Sequence, residues 1–279
     1  MCRLLGASPS GYYAWSKRPP CPRAVQDARL RELILAIHGR SRGTYGVPRI
    51  RAELRFDYSV RCSGKRVRRL MLQIGIQGKR RRRRARTTWR TLGVAPSPDL
   101  VQRNFTASAP DQVYVADIKY IWTREGFLYL AGVIDIFTRA PVGWAMANTL
   151  HSDLVLDALK MALWRRRPPA GAIHHSDQGT QYTSLAFGRT LREAGLLSSM
   201  GRRGDAYDNA LAESFWSTID RELLADSIFV DRESARMAIF EYIECWFIPW
   251  RRHSSLGMLS PAEYERQWRA NQTAEEVMA

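Results

Sequence analysis

The chain has 279 residues, 43 Lys and Arg against 27 Asp and Glu, a net charge of +16 and 45% hydrophobic residues, enough for a folded core and one or two domains. No apolar run reaches membrane-span length, the first residues lack a signal-peptide core, and Cys2, Cys21, Cys62 and Cys245 show neither zinc spacing nor a disulfide framework, so a cytoplasmic, reducing setting is expected. Residues 1–108 hold 25 Lys and Arg against 5 Asp and Glu, and the remainder 18 against 22, which points to a polyanionic partner for the first third.

Leu30, Leu33, Ile34 and Ile37 recur at helical spacing and predict a helix over 24–38, with Gly39 as its stop. After GTYGVP, Ile50 and Leu54 mark a second, short helix. Ser63 is placed to cap a third, whose apolar stripe is Val67, Leu70, Met71 and Ile74 and whose opposite face carries Lys65, Arg66, Arg68 and Arg69. Three short helices, the last with a basic outer face, resemble a helix-turn-helix unit. Those four residues and the run Lys79, Arg80, Arg81, Arg82, Arg83 and Arg84 are the expected DNA contacts; a small bundle with a solvated face and a charged tail is the plainer alternative. The expected organisation is a basic helical region at 1–86, with the helix-turn-helix at about 24–78, then a linker at 87–108 containing Pro96 and Pro98, and a catalytic core with its C-terminal tail at 109–270.

From Gln112 to Ile121 the chain alternates, with Val113, Val115, Asp117, Lys119 and Ile121 on one face. An Asp inside such an apolar strand is costly unless a partner or a metal takes its charge. Two further strands, FLYLAGVIDIF and PVGWAMAN, complete a predicted antiparallel meander. An amphipathic helix follows through Leu154, Leu159 and Leu163, then a short strand AIHHS that delivers Asp177 at its C-terminal end, where functional groups gather in α/β sheets. Gly179 is expected to permit a sharp exit. A helix through Leu185, Phe187 and Leu191, a strand LLSSM and a last helix presenting Ala212, Phe215, Trp216, Ile219 and Leu223 to the core complete the order, with Glu213 on that helix's flank. The order is that of a ribonuclease H-like α/β fold, a mixed five-stranded sheet with helices on both faces, preceded by a small helical domain. In it the first and fourth strands are neighbours, so Asp117 and Asp177 meet although 59 residues separate them, and Glu213 closes the site 35 residues later. Three clustered carboxylates repel unless cations are present, and two Mg²⁺ ions, with Mn²⁺ as a substitute, suit them as partners in phosphodiester chemistry.

Several other residues invite simpler readings. Asp135 is expected at a structural strand end, Asp208 and Asn209 as caps of the Glu213 helix, and Gln178 and Tyr182 as shapers of the turn after Asp177. His174 is expected to be packed, and Tyr120, Trp144, Trp216 and Trp246 to lie in the core.

The stretches CRLLGASPSGYYAW, RGTYGVPRIRAEL, KRVRRLMLQIGIQGKRRRR, FTASAPDQVYVADIKYIWT, GFLYLAGVIDIFTRAPVGWAM, HHSDQGTQYTS, GDAYDNALAESFW and RRHSSLGMLSPAEYE together resemble the second-frame (OrfB) transposase of the IS-three family of bacterial insertion sequences, within the retroviral-integrase-like superfamily. The resemblance implies Asp117, Asp177 and Glu213 as catalytic acids and metal ligands. It implies cleavage that frees a 3′-hydroxyl at an element end, followed by attack of that hydroxyl on another phosphodiester. It also implies double-stranded DNA as partner, both element ends and target, a homo-oligomer on DNA, an upstream-frame protein or fusion, and no membrane. The chain departs from the family pattern in places. Asp220 stands seven residues beyond Glu213 where Lys is usual, with Arg221 beside it; Lys119 replaces a frequent Thr; Phe247-Ile248 replaces Tyr-Asn before Arg251 and His253. Arg221 is a further candidate DNA contact, and Arg251 and His253 are expected either to contact DNA or to lock the C-terminal tail. A non-catalytic DNA-binding regulator, a decayed copy, or a nuclease that cuts without joining are the competing readings.

Overall fold

The computed structural model describes residue 6 and residues 8–79, 97–101, 106–201 and 210–278. The chain forms two compact units, Met1–Lys79 and Arg80–Ala279. The expected contacts Arg80 to Arg84, and the caps Asp208 and Asn209, lie outside the described residues.

The first unit holds four helices, α1 (Pro9–Ser16), α2 (Pro22–Arg40), α3 (Val47–Phe56) and α4 (Gly64–Gln73). Its core is made by the expected stripes: Leu30, Ile34 and Ile37 of α2, Ile50 and Leu54 of α3, and Val67, Leu70 and Met71 of α4 are all buried. Ser63 caps α4, its Oγ accepting the Arg66 N–H at 3.2 Å. Asp27 of α2 is also buried, and two of the arginines on α4 hold it: Arg66 Nε donates at 2.8 Å and Arg69 Nη2 at 2.6 Å. The Arg69 and Arg66 guanidinium groups keep the Asp27 carboxyl below the ordinary range. Half of the expected basic face of α4 therefore ties that helix to α2, while Lys65 and Arg68 remain exposed.

The second unit is built on five strands, β1 (Val113–Thr123), β2 (Gly126–Asp135), β3 (Pro141–Ala147), β4 (Ile173–Ser176) and β5 (Leu197–Met200), in the order β3-β2-β1-β4-β5. The first three form the antiparallel meander; β4 and β5 add in parallel beside β1. One face is covered by α5 (Ser152–Arg166) and α6 (Leu185–Glu193). Tyr114 and Ala116 of β1 and Ala131 and Val133 of β2 pack there with Leu159, Ala162, Phe187 and Leu191. The other face receives α7 (Ala210–Ile219). This is the ribonuclease H-like arrangement that the element order implied.

Two features fall outside the expected pattern. Part of the stretch read as a free linker is seated on the sheet edge: Leu100 N–H donates to Ser199 Oγ at 2.9 Å, Ser97 Oγ to Ser198 Oγ at 3.1 Å, and Val101 is buried. The C-terminal tail is also more ordered than a polar stretch suggests. After α7 come a π-helical turn (Asp220–Leu224), α8 (Arg232–Phe240), a second π-helical segment (Glu241–Phe247) and α9 (Pro261–Met278). Arg166 of α5 bridges Asp111 at 2.7 Å and Glu265 of α9 at 2.8 Å, while Phe137 packs against Tyr264 and Trp268.

Arg251, expected either at the DNA or as a lock on the C-terminal tail, is interior and fits the second role. Its guanidinium grips Glu222 through Nε at 2.8 Å and Nη2 at 2.7 Å, and Tyr242 Oη donates to the same carboxylate at 2.9 Å. A carboxylate in a polar sequence context gave no sign of this burial. His253 lies beside Arg251, its ring edge-on to Phe247 at 4.9 Å. Among the described residues no helix is long and apolar enough to cross a membrane, and Cys21, Cys62 and Cys245 are free thiols.

Removing one partner of a buried, hydrogen-bonded ion pair strands the other charge and costs about 3–5 kcal/mol. Arg251→Ala is expected to lower the urea unfolding free energy by that amount. An unchanged unfolding curve together with weaker DNA binding would return Arg251 to a role at the DNA.

Candidate active site

The three candidate acids come from three elements. Asp117 lies midway along β1, two residues beyond the last pair with β4, Val115 with His175. From that point the β4 side of β1 no longer has a strand beside it, so a side chain there has space that the strand centre lacks. The Asp117 Oδ1 accepts the Ile118 N–H at 2.7 Å. Asp177 follows β4 directly, and its Oδ1 accepts the Gly179 N–H at 3.0 Å. Glu213 is exposed in the first turn of α7, where a carboxylate is favoured by the helix dipole.

Electrostatics ties the three together. Burial first, and then the charge of Asp177 and more weakly that of Glu213, push the Asp117 carboxyl up to about 7, against hydrogen bonding that favours its ionised form. Asp177 reaches solvent, yet enough protein surrounds its carboxyl for desolvation to raise its pKa as well. Among the described residues, no three His, Cys, Asp or Glu side chains stand close enough together to form a ready metal cluster; mutual repulsion opposes a closer approach of three ionised carboxylates. As a donor set they suit a hard divalent cation, being all oxygen and all anionic, with Asp117 in an environment that a neighbouring cation relieves.

The walls of the site explain its placement. Asp117 is paired with Gly132 of β2, and Trp216 of α7 lies over that glycine: a Cβ at 132 would stand 2.9 Å from Trp216 Cη2. The missing side chain lets the indole reach the sheet, and Glu213 lies three residues before it on the same helix. The Trp216 N–H is directed to Asp117 and favours its ionisation, but it stops short of a formed hydrogen bond. Tyr182 is buried, its hydroxyl without a hydrogen-bond partner, and burial and the charges of Asp117 and Asp177 push its phenol well up. A Cβ at Gly179 would come 3.0 Å from Asp177 Oδ1, a tight contact that the missing side chain avoids.

Other residues take the structural roles expected of them. Asp135 is buried, accepting from Asp111 N–H, Thr138 N–H and Thr138 Oγ1. His174 is buried against Tyr182 and Phe187, and desolvation lowers its pKa to about 4. Gln178 Nε2 donates to the Gly201 carbonyl at 2.9 Å. Tyr120 differs from the expectation of a core residue, being half exposed.

Two departures from the family pattern prove to be partners. Lys119, two residues after Asp117 on the same face of β1, places its Nζ 2.7 Å from Asp220 Oδ2, at the start of the π-helical turn. Read singly, neither position signals this; their opposite charges, 101 residues apart, were the available clue. Arg221 Nη2 donates to Thr218 Oγ1 at 3.3 Å. In the first unit, Lys65, Arg68 and Arg69 line a shallow groove with Leu72 and Gln73, and Lys79 is half-buried with its N–H donating to the Thr44 carbonyl at 3.2 Å.

Family models match an HTH-like domain over residues 25–84 and integrase core domains over 107–206 and 194–261. A 31 kDa protein of insertion element IS600 from Shigella sonnei is 40% identical over 268 residues, covering 96% of this chain and 98% of that one. Transposase InsF for insertion sequence IS3A from Escherichia coli K12 is 39% identical over 272 residues, covering 96% and 93%. The HTLV-2 integrase catalytic core domain, solved in complex with magnesium, is a distant likeness, with a TM-score of 0.43 and 15% identity over 57% of this chain and 98% of that one. Similarity at this level along almost the whole chain makes it a member of the IS3 family of insertion-sequence transposases, with an integrase core behind an HTH-like domain.

Proposed function

We propose that this chain cuts DNA at the ends of an insertion sequence and joins the freed strands elsewhere, with Asp117, Asp177 and Glu213 as the catalytic acids. The observation that supports this reading is that the charges of Asp177, at the end of β4, and more weakly Glu213, on α7, act on the desolvated Asp117 of β1. Those residues would hold divalent magnesium, two ions by family analogy, with manganese as substitute. When bound, the metal supplies charge neutralisation at the phosphodiester and activation of the attacking oxygen.

The chain's own groups do the positioning. The Ile118 and Gly179 N–H groups fix one oxygen each of Asp117 and Asp177, and Glu213, on an exposed helical turn, is the third acid. Trp216 and Tyr182 keep the rear of the site dry, which strengthens every charge interaction within it. Lys119 places an ammonium on the carboxylate face of β1, oriented by Asp220. Phosphate contacts are assigned to Lys65 and Arg68, with Arg69, Lys79 and the run Arg80 to Arg84 adding to them, and to Arg221 in the π-helical turn after α7. The reading includes a homo-oligomer on double-stranded DNA, an upstream-frame partner or fusion, and a bacterial cytoplasmic location.

Three outcomes test it. Purified chain, with and without the upstream-frame segment, is expected to give nicked and joined strands from labelled element-end DNA in Mg²⁺. Glu213→Gln should abolish both products on a denaturing gel while DNA binding persists. Binding without any metal-dependent product, even in the fusion, would favour the regulator; cut ends that never join would favour a simple nuclease. Gly132→Ala should displace Trp216 and with it α7, lowering product yield more than tenfold for an overpacking penalty of about 1–3 kcal/mol in unfolding; adding Trp216→Phe should recover part of the yield. Lys65→Ala with Arg68→Ala should weaken duplex binding and reduce the salt slope by about two, roughly one for each phosphate that is no longer neutralised. An unchanged slope would remove these two residues from the interface.

A further inference from the structure

The helix that brings in Glu213 is held to the β1–β2 hairpin at two levels. At the first, Trp216 of α7 lies over Gly132, the cross-strand partner of Asp117. At the second, the carboxylate of Asp220, the residue directly after α7, meets the Lys119 ammonium of β1 at 2.7 Å. Asp117 and Lys119 share one face of β1 because they are two residues apart. Glu213, Trp216 and Asp220, at i, i+3 and i+7, share one side of the helix. The spacings match as well. Four residues of α-helix rise about 6 Å, and two residues of strand about 6.7 Å. Both contacts therefore suit one helix packed along β1, with Glu213 one turn before Trp216.

Apolar packing keeps α7 on the sheet without fixing how far along the strand it sits. Ala212, Phe215, Trp216 and Ile219 are buried, but the force that buries them is non-directional. An ion pair has direction. The Lys119 and Asp220 side chains are each only 20% exposed, so salt screens their attraction less than that of a surface pair. The helix also changes form at this point. Ala225 N–H donates to the Asp220 carbonyl at 2.7 Å and opens the π-helical turn, and two residues after Asp220 the buried Glu222 is gripped by Arg251. The pair thus stands at the joint between α7 and the anchored C-terminal tail. Glu213 is exposed, and its carboxylate is placed by the helix that carries it.

We propose that the Lys119–Asp220 pair sets the axial position of α7 on β1 and thereby the reach of Glu213 to Asp117, a positioning role that rests on the carboxylate-site reading above.

The test is a double-mutant cycle in the full chain, with Lys119→Met, Asp220→Leu and both together. Each single variant strands one charge, whereas the double variant places two apolar side chains of similar length in contact. In metal-free protein, each single variant is expected to raise amide hydrogen exchange across residues 213–219 about tenfold, and the double to restore most of the protection. Exchange in α5 should not change; a rise that spreads to α5 would mean general destabilisation and overturn the assignment. With labelled element-end DNA in Mg²⁺, each single variant should lower the cleavage rate at saturating DNA about tenfold through misplacement of Glu213. The double variant should return to within about threefold of wild type. Duplex affinity in Ca²⁺ should match wild type in all three. If Lys119 instead holds a DNA phosphate, Asp220→Leu tightens duplex binding, Lys119→Met weakens it and the double variant stays impaired. Any of those results overturns the positioning role, as does unchanged exchange across α7 or an unchanged cleavage rate in the single variants. The exchange measurement needs neither metal nor DNA, so failure of the carboxylate reading, seen as cleavage that persists in Glu213→Gln, is a separate readout.

Discussion

An aspartate near the middle of a five-stranded sheet is the constraint on which the catalytic unit depends. Desolvation alone disfavours its charge, and two neighbouring acids disfavour it further, driving it up to about 7. The fold meets this with placement. β4 has four residues and stops at Ser176, whereas β1 runs on to Thr123, so Asp117 falls just past the point where β1 loses its parallel neighbour. That gap at the end of a short strand is the usual location of functional groups in α/β sheets. Here it also admits Asp177 from the chain leaving β4. On the opposite side of β1, the missing side chain at Gly132 lets Trp216 close on the sheet, so that α7 brings in the third acid.

The pair Lys119–Asp220 shows how charge near such a site has to be read in three dimensions. Each residue departs from the family pattern, and each alone looks like damage: an acid where a base is usual, and a base where a hydroxyl is frequent. At 2.7 Å they form one ion pair, both side chains about one-fifth exposed. The ammonium is then supplied from the strand, next to Asp117, instead of from the helix. The pair is neutral where the family pattern carries one positive charge, which leaves Arg221 as the adjacent cation. The two departures thus compensate each other's charge.

Much of the architecture was legible because it rests on periodicity. The helix stripes through Leu30, Ile34 and Ile37 and through Val67, Leu70 and Met71, the alternation of β1, and the cap at Ser63 are local patterns, and local patterns survive folding. What was not legible depends on partners distant in sequence. Arg251 reads as a surface arginine until Glu222 is brought to it by a π-helical turn, a distortion with no composition signal of its own. Arg66 and Arg69 look equivalent to Lys65 and Arg68 on a helical wheel, and only the buried Asp27 separates them into structural and exposed pairs. Tyr120 and Trp122 occupy positions in the same alternation as the buried Tyr114, yet both are exposed. Alternation says which face a residue is on, not how far the covering layer extends.

The division of charge along the chain completes the physical picture. DNA affinity comes chiefly from neutralised phosphates and carries little sequence information. A site that must gather three carboxylates repels the same phosphates. The excess of Lys and Arg lies in the first 108 residues, and the stretch from 109 onward is slightly acidic. On the function proposed above, binding by the basic region would make delivery of a phosphodiester to the acids an intramolecular event. Under this arrangement the acids need no net attraction for DNA. Their demand is for cations and for accurate local placement, and the placement is provided by the end of β4 beside Asp117, the turn at Gly179 and the glycine beneath Trp216.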